Sequence, residues 1–499
     1  MDDMAGTQKS DESQLMSQSS PQRKRIPAIP LQMTYLRDEP QGVLYVEEPV
    51  SGAGELDFEA ICVFLSTGMF LGSETYFKDL KTVRPGEDLE LDGSGMLEKR
   101  TQRFRWTGGE VGKDFQNRES CVDKLDTLLE ASTTQLTTDP VLAVSGGLDS
   151  RSLAAAVLGK ELGVKSYSYA FAGGIDELKY GRQIGSACGF EHEEFIIPNG
   201  YLWNEIERFP ALTHCYAEFT HPRQMAVMDR LAALGDTFYL GHWGDVLFDD
   251  FALASDADFQ TIADLAYKRL AKSSGIWLAE ELWRVRGLAG KFESYFRDRL
   301  RAELEAIDLP DANARMRAFK STHWAPRWTS VNLSVFAAAG RLEVPYYSDE
   351  MCEFVRSVPE RHLSGRQLQI EYIKRKSPAL AAIPWQAWAP FNLYNFQAML
   401  GPRGIPVRIV DRLKREARRL MGRPRVRQNW QNQFLGESNA ARLSEWLFET
   451  PGLNDLIPKA VVEQAHSRFV QDPAAHWHGV SMLLTLAVFA KHKQRWIQK

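Results

Sequence analysis

The 499-residue sequence has only five cysteines, Cys62, Cys121, Cys188, Cys215 and Cys352, and no two of them form a CxxC pair. That scatter gives no sign of a zinc site or a disulfide framework and suits buried free thiols in a reducing, cytoplasmic compartment. Long apolar runs are also missing. The most apolar C-terminal stretch, Val480 to Ala490, falls well short of the roughly 20 residues of a membrane-spanning helix and reads as a buried core helix. Charge is nearly balanced, with 60 Lys and Arg against 65 Asp and Glu and a net charge of -5, so no global pull toward nucleic acid is expected. The phosphate loops GxxxxGK[ST] and GxGxxG are absent, as is the GxSxG elbow of serine hydrolases. No internal repeat is visible. Residues 1–27 are polar, lack the apolar segment of a secretory signal, and read as a disordered tail.

What is present falls into three parts. Over 28–115, short apolar runs are punctuated by glycine and proline, and "DLELDGSGMLEKRTQRF" reads as strand, Asp-Gly turn, strand, so a small β-rich domain is expected. Over 116–400, strand-like "PVLAV", "KSYSYAF" and "TFYLG" alternate with helical "RSLAAAVLGKELG" and "QMAVMDRLAALG". That alternation predicts an α/β domain with a parallel sheet. Over 401–499 the pattern is helical. Within it, "RIVDRLKREARRLMGRPRVRQ", Arg408 to Gln428, sets Arg412, Arg415, Arg418 and Arg419 on overlapping helical faces. Two readings stand: a solvated helix, or a dock for an acidic partner, polyphosphate or membrane surface.

The most informative stretch is "VLAVSGGLDSRSLAAAVLG", Val141 to Gly159. The continuous apolar run up to Val144 predicts a central strand buried on both faces. Gly146 and Gly147 then allow a sharp turn and close approach to a ligand. A helix starting near Asp149 would direct unsatisfied N–H groups at the same point, and Ser145 and Ser150 add hydroxyl donors. This is a candidate phosphate site. A bare carboxylate at Asp149 makes sense there if Mg²⁺ bridges it to the phosphates.

"SGGLDS" resembles the pyrophosphate-binding loop of the asparagine synthetase family, whose relatives include β-lactam synthetase, carbapenam synthetase and the lasso-peptide cyclases. "YLGHWGDVLFDDF" is similar to the family's third-strand segment, "GRLEVPYYSDEM" to its xExRxPFxD stretch, and "SYSYAFAGGIDELKYGRQIGSACGFEHEEFIIP" to its second strand and the acidic turn at Asp176 and Glu177. Upstream, the glycine-punctuated stretch resembles the end of the family's amidotransferase domain. The similarity runs from about Phe64 to Leu380. It implies a parallel-sheet ATP-pyrophosphatase fold preceded by a degenerate amidotransferase-like β domain. The implied reaction activates a carboxylate with ATP, releases pyrophosphate, and lets an amine attack the acyl-adenylate.

Carried over by position, Val144, Ser145, Gly146, Gly147, Asp149, Ser150 and Gly241 match the ATP site, and Asp149 with Asp245 match the Mg²⁺-associated aspartates. Departures from the family mark the substrate half. His242 stands where asparagine synthetases have glutamate, and reads as a general base or orienting group, or as a structural histidine. Val246 replaces a second glutamate. Arg341 and Glu343 exchange the signs of xExRxPFxD, which leaves either a reversed ion pair or a remodelled acceptor pocket with Glu343 assisting His242. In "SGRQLQIEYIKRK", Arg366 takes the position of the family's pyrophosphate-side lysine, with Lys374 further along. Residue 2 is Asp2 rather than the glutaminase cysteine, so glutaminase activity is expected to be absent. The expected substrates are a small-molecule or peptide carboxylate (aspartate, a peptide side chain or a polysaccharide uronic acid) and an amine donor. The alternative is a catalytically impaired ATP-binding or scaffold homologue.

Overall fold

The computed structural model describes residues 21–49, 54–107, 115–174, 177–420 and 430–497. Six strands come first: β1 (Gln22–Arg25), β2 (Tyr35–Glu39), β3 (Gly42–Val46), β4 (Leu80–Thr82), β5 (Glu87–Leu91) and β6 (Leu97–Gln102). They form two three-stranded antiparallel sheets, ordered β1-β5-β6 and β3-β2-β4. The expected Asp-Gly turn joins β5 to β6, and Asp92 closes it by accepting from the Ser94 and Met96 amides at 2.8 and 2.9 Å. Strand β1 corrects the expected tail, since residues 22–25 pair with β5 and Arg23 lies 2.9 Å from Asp88. "QRKR" carries no apolar alternation, so its strand depends on the main-chain ladder of its neighbour. The tail reading of residues 1–20 lies outside the described residues.

Five further strands, β7 (Val141–Ala143), β8 (Lys165–Phe171), β9 (Glu191–Ile197), β10 (Thr237–Tyr239) and β11 (Arg341–Glu343), form a parallel sheet ordered β11-β10-β7-β8-β9. Val141 and Leu142 are fully buried at its centre, as the apolar run predicts. From β7 the chain moves outward through β8 to β9, then returns to add β10 and β11 on the other side. The strand order therefore reverses between β7 and β10. In open α/β sheets, the crevice at the carboxyl ends of two such strands is where ligands bind. The loops that leave β7 and β10 are "SGGLDS" and "GHWGD".

The β-rich region, the α/β region and the C-terminal helices share one core, although the sequence divides at 115 and 400. Helix α1 (Phe58–Thr67) packs on the helix Ser273–Val285, which in turn packs on the C-terminal helix Pro473–Ile497. Tyr76 stacks on Phe489 at 4.0 Å and donates its hydroxyl to the Cys215 carbonyl at 2.6 Å. The run around Val480 to Phe489 is buried nearly all round, as expected, and needs partners on every side. No helix among the described residues is long and apolar enough to cross a membrane. Cys62, Cys121, Cys215 and Cys352 are buried free thiols, and Cys188 is partly buried.

His478 shows what this shared core does to a titratable group. Its Nε2 donates to the Leu65 carbonyl at 3.0 Å, and burial pushes its pKa down to about 4, against the opposing pull of Glu218. The folded protein keeps this imidazole neutral in a range where the unfolded chain, with a pKa near 6.5, has already bound a proton. Its contribution to stability is intact above that value and is lost as pH falls toward 4. In denaturant titrations across this window, the wild type should lose up to about 3 kcal/mol more than His478→Gln.

Candidate active site

After β7 the chain turns through Ser145, Gly146 and Gly147 into helix α2 (Asp149–Val157). The Ser150 hydroxyl accepts from the Ser145 amide at 3.0 Å and lies 3.1 Å from the Ser145 hydroxyl, drawing the loop closed. No side chain caps the helix, so its first N–H groups remain for a ligand. Two glycines are required by close approach. A Cβ on Gly146 would lie 2.5 Å from the Gln386 side chain, and one on Gly241 would lie 2.9 Å from the Ser150 amide nitrogen. Val144 lies beneath, its amide bonded to the Tyr167 carbonyl at 2.8 Å.

The Asp149 carboxylate enters an ion pair with Arg366 and accepts from the Gln369 amide at 3.0 Å. Gln369 also holds Arg366, accepting from its Nε at 2.9 Å, and donates to the Tyr346 hydroxyl at 3.1 Å. Arg366 itself takes a left-handed backbone conformation at φ 60°. Its turn is held by Asp249, which accepts from the Gly365 amide at 3.2 Å, and by Asp250, which accepts from Ser364. Burial raises the pKa of Asp149, Arg366 opposes that rise, and the charge of nearby Asp245 adds to it. Asp245 is exposed and forms no ion pair among the described residues. Its charge acts on Asp149, Arg366, His242 and Lys320 alike, which places it at the centre of the crevice.

His242 follows Gly241 at the end of β10. Its Nδ1 is buried without a hydrogen-bond partner, and burial drives its pKa down to about 4, helped by Arg223 and opposed by Asp245. The imidazole is therefore neutral at ordinary pH, with a lone pair available, and is a weaker base than a solvent-exposed histidine. Arg223 donates to the Tyr169 hydroxyl at 3.2 Å and lies over the Phe171 ring at 5.5 Å, while its Nη1 is buried and unpaired. Lys320 opens a π-helical segment, Lys320–Ser330, and its ammonium sits 5.0 to 5.5 Å from the rings of Trp324, Trp243 and Phe251. Burial lowers the Lys320 pKa, and Asp245 pulls against that.

The structure thus brings Ser145, Gly146, Gly147, Asp149, Ser150, Gly241, His242, Asp245 and Arg366 to one crevice. Two candidates stand apart from it. Glu343 pairs with Arg341 at 3.4 Å along β11 and makes no contact with His242, so the exchanged signs are a reversed ion pair. Lys374 pairs with Glu371 at 3.0 Å and lies over Tyr394, two helical turns beyond Arg366. His192 fills a structural slot between the Ser166 and Ser168 hydroxyls, at 2.9 and 3.1 Å. Asp176 lies outside the described residues. Sequence reasoning missed Arg223, Lys320, Gln369 and the buried Arg151. Each is a single polar residue in an irregular or helical stretch, and the only local hint is the aromatic setting of Lys320 in "FKSTHWAPRW".

The asparagine synthase family model matches residues 124–369, a span that contains β7 through β11, the glycine loop, His242, Asp245, Arg366 and Gln369. A search of curated proteins returned no match. The match supports an ATP-dependent amide-forming synthetase, a ligase that makes carbon–nitrogen bonds. With its loop at the strand-order reversal and its paired Asp149 and Arg366, the domain over residues 124–369 is assigned to the asparagine synthetase-like family.

Proposed function

We propose that the protein activates a carboxylate with ATP, releasing pyrophosphate and forming an acyl-adenylate whose AMP is then displaced by an amine. The observation that carries this reading is the pairing of a phosphate-sized loop with Arg366, opposite a second cluster of His242, Arg223 and Lys320. The carboxylate oxygen attacks the α-phosphorus, and the bond to the β-phosphate oxygen breaks. The loop amides, Ser145 and Arg366 receive the departing pyrophosphate charge. Arg223 and Lys320 orient the anionic acyl side, and the neutral His242 accepts a hydrogen bond from the amine as it attacks the acyl carbon. AMP leaves as the amide forms. The amine in this reading is a substrate amine or ammonia.

Asp149 and Asp245 suit Mg²⁺ in one respect: they are two neighbouring carboxylates facing a phosphate loop. No cluster of three or more metal-binding side chains exists among the described residues, so phosphate oxygens would complete the ligand set. When bound, the ion would neutralise triphosphate charge.

The test is ATP–pyrophosphate exchange measured against a panel of aspartate, peptides with acidic side chains and uronic acids, with AMP as the coupled product. Exchange dependent on one carboxylate class is the expected result. ATP binding with no pyrophosphate or AMP released under any carboxylate would instead support the scaffold reading. With the substrate in hand, Lys320→Met should raise its KM about 10-fold and leave kcat nearly unchanged, as expected for a cation that orients the substrate.

A further inference from the structure

The helix Ile405–Leu420 follows the α/β domain and exposes its apolar side chains. Ile405, Ile409, Val410, Leu413 and Leu420 are 47, 52, 45, 63 and 86% exposed. At about 100° per residue these positions, with Ala417, share one arc of the helix. Positions 408, 412, 414, 415, 418 and 419, all arginine or lysine, fall on the opposite arc together with Asp411, while Glu416, the other acidic residue of the helix, lies at the edge of the apolar arc between Ile405 and Ile409. The chain as a whole is net negative at -5, so this helix is a local reversal of sign. Tyr394 and Leu400, at 55 and 71% exposed, extend the apolar surface toward the segment that precedes it.

We propose that this helix is an interfacial anchor that lays the protein on a membrane surface containing anionic lipid. An acidic peptide would neutralise the basic arc and leave Ile409, Leu413 and Leu420 in water. A second copy of the helix would cover the apolar arc but bring two sets of cations together. A bilayer surface satisfies both arcs in one orientation, with apolar side chains at the acyl boundary and cations at the headgroup phosphates. Insertion stops at the interface, because no helix among the described residues can span the bilayer. The chain before the anchor touches the glycine loop of the crevice, and the chain after it packs on the body of the protein. Before it, the Gln386 amide donates to the Gly146 carbonyl at 3.1 Å, and after it, Trp430 packs 5.2 Å from His221.

The experiment uses the full chain in co-sedimentation with phosphatidylcholine vesicles, with and without phosphatidylglycerol. Binding should favour the anionic vesicles about 10-fold or more and weaken with added salt. Replacing both exposed arginines, Arg408→Glu with Arg412→Glu, should weaken binding about 10-fold or more, and so should Ile409→Glu with Leu413→Glu. All four sites are exposed and the substitutions give up one surface hydrogen bond, from Arg408 to the Met399 carbonyl, so thermal stability should be nearly unchanged and a folding defect is distinguishable. Failure to bind either vesicle would overturn the proposal, as would binding insensitive to both pairs of substitutions. Capture of polyglutamate without vesicle binding would also overturn it and assign the helix to an acidic polypeptide.

Discussion

Asp149→Ala is expected to lower carboxylate-dependent ATP–pyrophosphate exchange by about 10³-fold, and Arg366→Ala to cost nearly as much. The reason is the mutual dependence of two largely buried charges. The Asp149 carboxylate is already pushed toward protonation by burial, and Arg366 is the main influence that opposes this. Without the guanidinium, the carboxyl is pushed further toward protonation and is a poorer anion in the crevice. Without the carboxylate, Arg366 keeps Gln369 as its hydrogen-bond partner among the described residues and loses the charge that orients it. Breaking such a pair from one side typically costs about 3–5 kcal/mol. The double variant should therefore lose little more than either single one. Fully additive losses would show that the two residues act separately.

The second large effect belongs to Arg151, which is fully buried yet has no carboxylate partner among the described residues. Its guanidinium donates to the carbonyls of Leu380, Ile383, Gly146 and Pro384 at 3.2, 2.9, 3.3 and 3.0 Å. Burial lowers its pKa to about 10, so it stays charged at neutral pH. One side chain thus ties the phosphate loop to the 380–384 segment. Arg151→Met keeps much of the volume but leaves the Ile383 and Pro384 carbonyls without this donor, while Gly146 keeps Gln386 and Leu380 keeps the Ile383 amide, for an expected loss of about 4 kcal/mol. In a chain of this length that loss lowers Tm by about 4 °C. ATP affinity measured by calorimetry should fall about 10-fold, because the Gly146 carbonyl loses one of its two hydrogen bonds and the loop is held less firmly. An unchanged Tm together with unchanged ATP affinity would show that the loop is held by other means.

The parallel sheet and the glycine turn that follows β7 were legible in the sequence because each has a strong local signature. A doubly buried strand must be continuously apolar, and a close approach such as that of Gly146 to Gln386 must use glycine, so Val141 to Gly147 announces both. Arg366 was legible through resemblance, and its pairing with Asp149 is what three-dimensional structure adds. Strand β1 escaped notice because a ladder built on a neighbour's main chain needs no apolar pattern of its own. The shared core escaped because periodicity reveals which face is apolar and leaves open which other face covers it. Glu343 and Lys374 illustrate a different limit. Position in a motif fixes where a Cα lies, whereas the direction of the side chain depends on partners such as Arg341 and Glu371. For His242, the residue type suggested a near-neutral titration, and burial set it lower.

The stack of Tyr76 on Phe489 also constrains how the molecule is made. A core that joins residues so far apart in sequence cannot be completed as each part leaves the ribosome. Phe64, Phe70 and Tyr76 are synthesised long before Phe489, the ring that stacks on Tyr76. Until then the surface of α1 that lies against the later helices stays uncovered, and contacts of such long range are slow to form. The nascent chain is thus most in need of protection from aggregation during the interval between synthesis of its first and last core residues.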